Sequence, residues 1–342
     1  MKAVIMAGGM GTRLRCVTGD KPKPMADMLG KPIMEHIVLQ LRDCGFDEIC
    51  AALKYRAGDI IAHFGDGSRF GVKMQYRIEE EALGTAGGVK NCADFYGDED
   101  FLVISGDAAC DFPLDRLMQE HRRRDAAVSI ALYRDSEPLR YGLALTDEQG
   151  SIRSFIEKPD WSRVVTDYVN TGIYVISPRV MELVPEGQSF DFGRELFPLL
   201  LERGERLIGL PMDGYWCDIG TAAAYYRCCA DAVEGRWKIL LPEKFRSGAG
   251  EAEPEAEKAG EAYEISCDCK DRAALMRVLA GELMGLGPDY SDGIRLQGGR
   301  MSLHIRPSAA SCALRIGIDS ADGEFAREML NLAKDAVESL GM

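Results

Sequence analysis

Apolar residues follow two alternating rhythms along the first part of the chain. The run Ala3 to Ala7 is nearly continuous and short, as in a buried strand. Pro32 to Cys44 then carries Ile33, Ile37 and Leu41 at helical spacing with Val38 beside them, and stops at Gly45. Glu48 to Leu53 reads as the next strand and closes a βαβ unit. The alternation continues with helix 57–64, strand 73–78, helix 85–92, strand 101–105, helix 113–124 and strand 127–133. Strands that alternate with helices imply an α/β fold with a mostly parallel, Rossmann-like sheet. Ligands of such sheets gather beyond the carboxyl ends of the strands.

The rhythm shortens after Tyr141. Strands are expected at 142–146, 152–157 and 168–176, a mixed extension of the sheet suited to a second substrate. Helices return at 178–184 and 192–203, and Tyr215 to Thr221 leads into a helix that ends near Glu234. Residues 247–262 read SGAGEAEPEAEKAGEA, with no large apolar residue, and mark an acidic flexible linker. Beyond it, strand 264–269, helix 272–284, strands 293–297, 302–306 and 313–319, and helix 324–340 make a small C-terminal α+β domain. The expected organisation is therefore a first domain over 1–240, the linker, and a second domain over 263–342.

Charge narrows the partners. The net charge is −14, and affinity for nucleic acid or anionic membrane comes from basic patches, so neither is expected. No run approaches the ~18 apolar residues of a membrane span. The chain opens in a strand with no signal-like segment. The 11 cysteines are irregularly spaced and only 4 histidines are present, without a paired CxxC zinc arrangement. A reducing cytoplasm is the expected compartment.

The chemistry concentrates at strand ends. Ala7-Gly-Gly-Met-Gly-Thr-Arg-Leu14 follows the first strand. Glycine at 8, 9 and 11 lets backbone N–H groups approach an anion closely. Arg13 adds a cationic fork suited to phosphate, with Lys21 and Lys23 following in a proline-stiffened Lys-Pro-Lys-Pro. The spacing is neither a dinucleotide fingerprint nor a Walker A loop. Gly106 and Asp107 end the strand 101–105, which aims a carboxylate at the ligand edge. Asp218, in Trp216-Cys-Asp-Ile-Gly-Thr221, lies between an aromatic segment and a helix start and on its own reads as a turn or helix-approach residue. Asp111 reads as a turn acid before Pro113.

Ala7 to Leu14, Lys21-Pro-Lys-Pro-Met25 and Gly30-Lys-Pro-Ile33 together resemble the signature of sugar-1-phosphate nucleotidylyltransferases. Further motifs in family order extend the resemblance to about residue 235. It implies a nucleotidyltransferase sheet whose substrates are an NTP and a sugar 1-phosphate. It also implies Mg²⁺ held by Asp107 and Asp218, and Lys23 on the NTP phosphates. Catalytic roles then fall to Arg13, Lys23, Asp107 and Asp218. Nucleotide contacts fall to Ala7, Gly8, Gly9, Gly11, Thr12, Arg13, Lys23, Glu79, Gly84, Thr85 and Gly106. By the same resemblance Glu157 and Lys158 of Glu-Lys-Pro grip the sugar and its phosphate, aided by Tyr141-Gly142 and Asn170-Thr171. A homo-oligomer is left open.

In Glu79-Glu-Glu-Ala-Leu-Gly-Thr-Ala-Gly87 the small residues let a flat base lie on the backbone. Guanine presents two adjacent donors, which suit one carboxylate, whereas uracil and thymine suit an amide better. The segment is similar to that of mannose-1-phosphate guanylyltransferases, and GTP with mannose 1-phosphate is the expected pair. A UTP- or dTTP-dependent glucose-1-phosphate enzyme and a catalytically silent NDP-sugar sensor are the alternatives. In the C-terminal domain, Ser302 to Ser308 and Ala313 to Gly317 resemble the C-terminal domain of phosphohexomutases. The loop continues Ala309-Ala-Ser-Cys312 where that family has Gly-Thr-Glu-Pro, so the fold and not an intact phosphate loop is implied.

Overall fold

A computed structural model describes residues 1–135, 137–157 and 166–239, then 262–266, 279, 294–298, 301–307, 313–320 and 331. The chain divides into two compact units. One gathers Met1–Tyr133, Thr146–Ser154 and Asn170–Gly250; the other gathers Arg134–Leu145, Phe155–Val169 and Glu251–Met342.

In the first unit the strand Lys2–Ala7 lies between Glu48–Leu53 and Phe101–Ser105, parallel to both. Lys73–Ile78 continues the sheet in parallel beyond Glu48–Leu53. Chain order runs outward in one direction through the first three of these strands. It then jumps back across the first strand to place Phe101–Ser105 on its other side. That reversal is a topological switch point, where a crevice opens between the loops that leave two neighbouring strands. Here those loops begin at Gly8 and at Gly106. On the far side of Phe101–Ser105 the sheet turns mixed, because residues 173–176 pair with it antiparallel. The core is built from fully buried Val4, Ile5, Ile33, Ile37, Leu41, Ile49, Leu53, Leu102 and Ile104. The helix Ile33–Asp43 faces that core as its spacing requires, and ends at Gly45 with φ 81°.

Several short strands of this unit were not legible in the pattern. Leu207–Pro211 pairs in parallel with residues 128–132. Ala108–Cys110 and Trp216–Asp218 form a two-stranded antiparallel ribbon. Each is short, and the last two are made of small, polar or aromatic residues without alternation. The helix expected over 178–184 is only Pro178–Met181. The one expected over 192–203 opens as a wide turn over Phe192–Leu196 before Phe197–Glu202, capped by the Asp191 side chain on the N–H groups of Gly193 and Arg194.

In the second unit, Val169 pairs with Leu143 and the Arg134 guanidinium meets Asp167 at 3.0 Å. The four strands Ala262–Ser266, Ala313–Ser320, Met301–Pro307 and Ile294–Gly298 form one antiparallel sheet in that spatial order. These are the strands expected there, the first beginning at Ala262, which the linker reading had included. The two expected C-terminal helices, the loop after Pro307 and residues 247–261 fall outside the described segments, save the isolated positions 279 and 331. Among the described residues no helix is long and apolar enough to cross a membrane.

Candidate active site

The ribbon explains how two acids 111 residues apart in sequence come together. Its register sets Asp218 opposite Ala108, one residue from Asp107, at the switch-point crevice. Lys23 reaches between them: its Nζ lies 2.5 Å from Asp107 Oδ2 and 3.2 Å from Asp218 Oδ1. The lysine is well covered, with an 11% exposed side chain. The Ser105 hydroxyl donates to the other Asp107 oxygen at 2.5 Å.

Burial pulls the Lys23 ammonium down, but the charges of Asp107 and Asp218 and their hydrogen bonds outweigh it, and its pKa is raised. Burial pushes the Asp107 carboxyl up, and the Lys23 charge, the Lys23 hydrogen bond and the Ser105 hydroxyl carry it below the usual carboxylate value. Lys23 and Asp107 therefore stay ionised together at neutral pH.

Above them is a cavity of about 290 Å³ lined by Met6, Ala7, Gly9, Gly11, Thr12, Arg13, Lys23, Pro24, Asp107 and Gly220. Gly11 cannot be replaced here: its φ is 57°, and a Cβ would stand 2.6 Å from the Lys23 Cβ. The glycine turn and Lys23 are thus packed against one another. Arg13 follows in a short 3₁₀ turn, Thr12–Leu14, exposed. Its guanidinium reaches the neighbourhood of Gly220, where a Cβ would be 3.5 Å from Nη2. Gly106 is tied to the first strand by its N–H on the Met6 carbonyl at 2.8 Å.

The donor set suits a hard divalent cation. Mg²⁺ is commonly held by one or two carboxylates together with substrate phosphates and waters. Among the described residues there is no group of three or more His, Cys, Asp or Glu side chains able to hold a metal ion, so the remaining ligands would have to come from substrate and water.

A second cavity of about 370 Å³ shares Met6, Gly9 and Asp107 with the first. Its other walls include Gly8, Lys54, Glu79, Ala82, Gly84, Thr85, Gly88, Ser105 and Asp191. Glu79 accepts the Leu83 N–H on Oε2 at 3.2 Å. Its Oε1 lies so close over Gly88 that a Cβ there would be 2.4 Å away. Burial raises the Glu79 pKa, against the lowering effects of the Leu83 N–H and the Lys54 charge. The Thr85 hydroxyl donates to Asp191 Oδ2 at 2.8 Å and accepts the Phe192 N–H at 3.0 Å.

The structure thus assembles Ala7, Gly8, Gly9, Gly11, Thr12, Arg13, Lys23, Glu79, Gly84, Thr85, Asp107 and Asp218 around one crevice, with Gly106 beneath it. Sequence reasoning missed Lys54, Ser105 and Asp191. Ser105 ends its strand and Lys54 directly follows one, and the strand-end rule could have found them. Asp191 has only its helix-capping position as a signal. Asp111 is more than a turn acid, since its two oxygens accept the Tyr215 and Lys238 N–H groups at 2.7 and 3.1 Å and clip three segments together.

The expected sugar-side residues are less gathered. Asn170 turns its Oδ1 onto the Gly172 N–H at 3.0 Å. Thr171 is 3% exposed and its hydroxyl donates to the Ala131 carbonyl at 2.7 Å. That side chain is spent in the core, because 170 and 171 point to opposite faces of one strand. Tyr141 and Gly142 belong to the second unit, where Gly142 opens the strand Gly142–Thr146. Glu157 ends the strand Ile152–Glu157, and Lys158 lies outside the described residues.

The sequence and fold of this chain are shared by known proteins. The UTP–glucose-1-phosphate uridylyltransferase of Synechocystis sp. is 38% identical over 240 residues, which is 66% of this chain and 62% of that protein. This chain therefore spans a little over three fifths of that relative's length. The mannose-1-phosphate guanylyltransferase of Mycobacterium tuberculosis is 32% identical over 297 residues, 86% of this chain and 78% of that protein. Among solved structures, HddC from Yersinia pseudotuberculosis complexed with GMP-PN is 31% identical, with a TM-score of 0.59 over 68% of this chain and 99% of that one. The family model described as Nucleotidyl transferase matches residues 2–234, and the chain belongs to that family.

Proposed function

We propose that this protein joins a sugar 1-phosphate to an NTP, releasing pyrophosphate, with mannose 1-phosphate and GTP as the substrates and GDP-mannose as the product. The observation that carries this reading is the Lys23 ammonium set between Asp107 and Asp218 on the floor of a cavity rimmed by the glycine turn and Arg13. The reaction is an in-line displacement at the α-phosphorus between two polyanions, so it needs cations, alignment and little covalent chemistry from the protein. Backbone N–H groups of the 8–12 turn and the Arg13 fork bind the triphosphate. Lys23, anchored by two carboxylates, holds positive charge at a fixed place where phosphoryl charge develops. Asp107 and Asp218 would hold Mg²⁺, which supplies charge neutralisation between the reactants and on departing pyrophosphate.

The guanine preference rests on the Glu79 carboxylate in the second cavity. It is supported by the name of the Mycobacterium relative and by the GMP-PN in the Yersinia structure. On the sugar side we assign Tyr141, Gly142, Glu157, Lys158 and Asn170, with Thr171 contributing through its backbone alone. The C-terminal sheet serves as an interaction or dimerisation module, and the cytoplasm is the compartment. The second reading, UTP with glucose 1-phosphate, is favoured by the 38% identical Synechocystis relative. Pyrophosphate release across a grid of GTP, UTP, dTTP and ATP against mannose and glucose 1-phosphates separates them. Fastest turnover with GTP and mannose 1-phosphate is expected; a UTP or dTTP optimum overturns the guanine assignment, and no turnover with any pair leaves a nucleotide-sugar sensor.

A further inference from the structure

Lys54 stands directly after the strand Glu48–Leu53, at the ligand edge of the sheet. It lines the same cavity as Glu79 and is absent from the walls of the cavity that holds Lys23. Its Nζ donates to the Glu80 carbonyl at 3.0 Å, which uses one of three N–H groups and leaves two to offer. Gly8 lies between the two side chains: a Cβ built there would be 3.5 Å from Glu79 Oε1 and 3.5 Å from the Lys54 Cβ. A flat ring resting over Gly8 would therefore lie beside the Glu79 carboxylate and the Lys54 side chain.

We propose that Lys54 is the second base-reading residue, donating a hydrogen bond to the carbonyl oxygen at position 6 of a purine or position 4 of a pyrimidine. The proposal rests on the nucleotide assignment of this cavity made above. It divides the labour of recognition. Guanine, hypoxanthine, uracil and thymine carry an oxygen acceptor at that position, while adenine and cytosine carry an amino donor. An ammonium pairs with the first group and leaves the second facing N–H to N–H. Lys54 thus selects oxo bases over amino bases. Glu79 then chooses among the oxo bases, since its carboxylate pairs with the 2-amino group of guanine and opposes the 2-carbonyl of a pyrimidine.

The test is equilibrium binding of GTP, ITP, UTP and ATP with Mg²⁺, by calorimetry, to wild type, Lys54→Met and Lys54→Gln. Lys54→Met should weaken GTP, ITP and UTP alike by about tenfold, with ATP bound as well as before or better. Lys54→Gln, which restores an N–H donor without charge, should regain part of the lost GTP affinity. Equal weakening of ATP would make Lys54 a general phosphate cation and overturn the proposal, as would unchanged affinity for the oxo bases. A wild-type preference for UTP would remove the guanine reading alone, because the oxo-against-amino contrast is measured separately from it.

Discussion

The two adjoining cavities are built by different means. The charged one depends on long-range register: Asp218 meets Asp107 because a three-residue ribbon pairs Trp216–Asp218 with Ala108–Cys110, and Lys23 is steered between them by packing on Gly11. The other is built from strand ends and a helix start, with Glu79 tied to Leu83 four residues away and laid over Gly88. The first assembles charge that any NTP would need. The second presents hydrogen-bonding groups that differ in their fit to different bases. On the function proposed above, the contrast would separate turnover from choice of substrate, and substitutions should divide along the same line.

The largest effect is expected at the charged end. Asp107→Asn and Asp218→Asn should each lower kcat by roughly 10²-fold or more, since each removes a carboxylate proposed to hold the divalent cation that offsets developing phosphoryl charge. The loss should be the same with every NTP. Steady-state kinetics with GTP and UTP tests this; a variant that changed base preference and kept turnover would erase the contrast between the two cavities.

At the selecting end, Glu79→Gln should leave kcat with GTP nearly intact and reduce the GTP-over-UTP ratio by about 1–3 kcal/mol, the worth of a bidentate base contact. A pH profile sharpens it. Because burial raises the Glu79 pKa, the GTP KM should start to rise on acidification above the ordinary glutamate value of about 4.3. The profile for Glu79→Gln should lack that limb, and its persistence would assign the limb to another group.

What was readable in the sequence follows the same division. Phe101–Ser105 announces itself by four consecutive fully buried apolar residues, and Gly106-Asp107 then falls at a strand end by simple counting. The parallel strands and the helix Ile33–Asp43 were legible for the same reason: one-sided burial imposes a period. The ribbon was not, because Ala108–Cys110 and Trp216–Asp218 are too short to show one. Asp218 therefore came from the motif resemblance, and its pairing with Asp107 through Lys23 came only from the fold. Thr171 shows the converse failure. The motif Asn170-Thr-Gly pointed to ligand contact, but strand alternation turns the threonine into the core, where its hydroxyl needs the Ala131 carbonyl.

The two compact units allow a coarser test. Both cavities are lined entirely by residues of the first, whereas Tyr141, Gly142 and Glu157 belong to the unit that also holds the C-terminal sheet. A chain ending near Arg246 should retain turnover and an unchanged NTP KM, and any rise should fall on the sugar 1-phosphate KM. A folded but inactive truncation would show that the C-terminal sheet contributes to the reaction itself.

The smallest effect is on stability, and it isolates Lys23 from catalysis. The Asp107 pKa is lowered in the folded protein, so its contribution to stability is present above the unfolded value of about 3.9 and is lost as pH falls through the folded value. The Lys23 pKa is raised, so its contribution is full below about 10.4 and is lost as pH rises through the folded value. Between those limits the pair contributes a constant amount. In Lys23→Met the ammonium is gone while the burial that pushes the Asp107 carboxyl upward remains. That variant should be less stable than wild type at pH 7, and the gap should narrow on acidification, as Asp107 protonates at a higher pH in the variant. Tm measured from pH 7 to pH 3, with chelator and without nucleotide, reads this directly. A gap that stayed constant across that range would mean that Lys23 acts through packing on Gly11 and not through its charge.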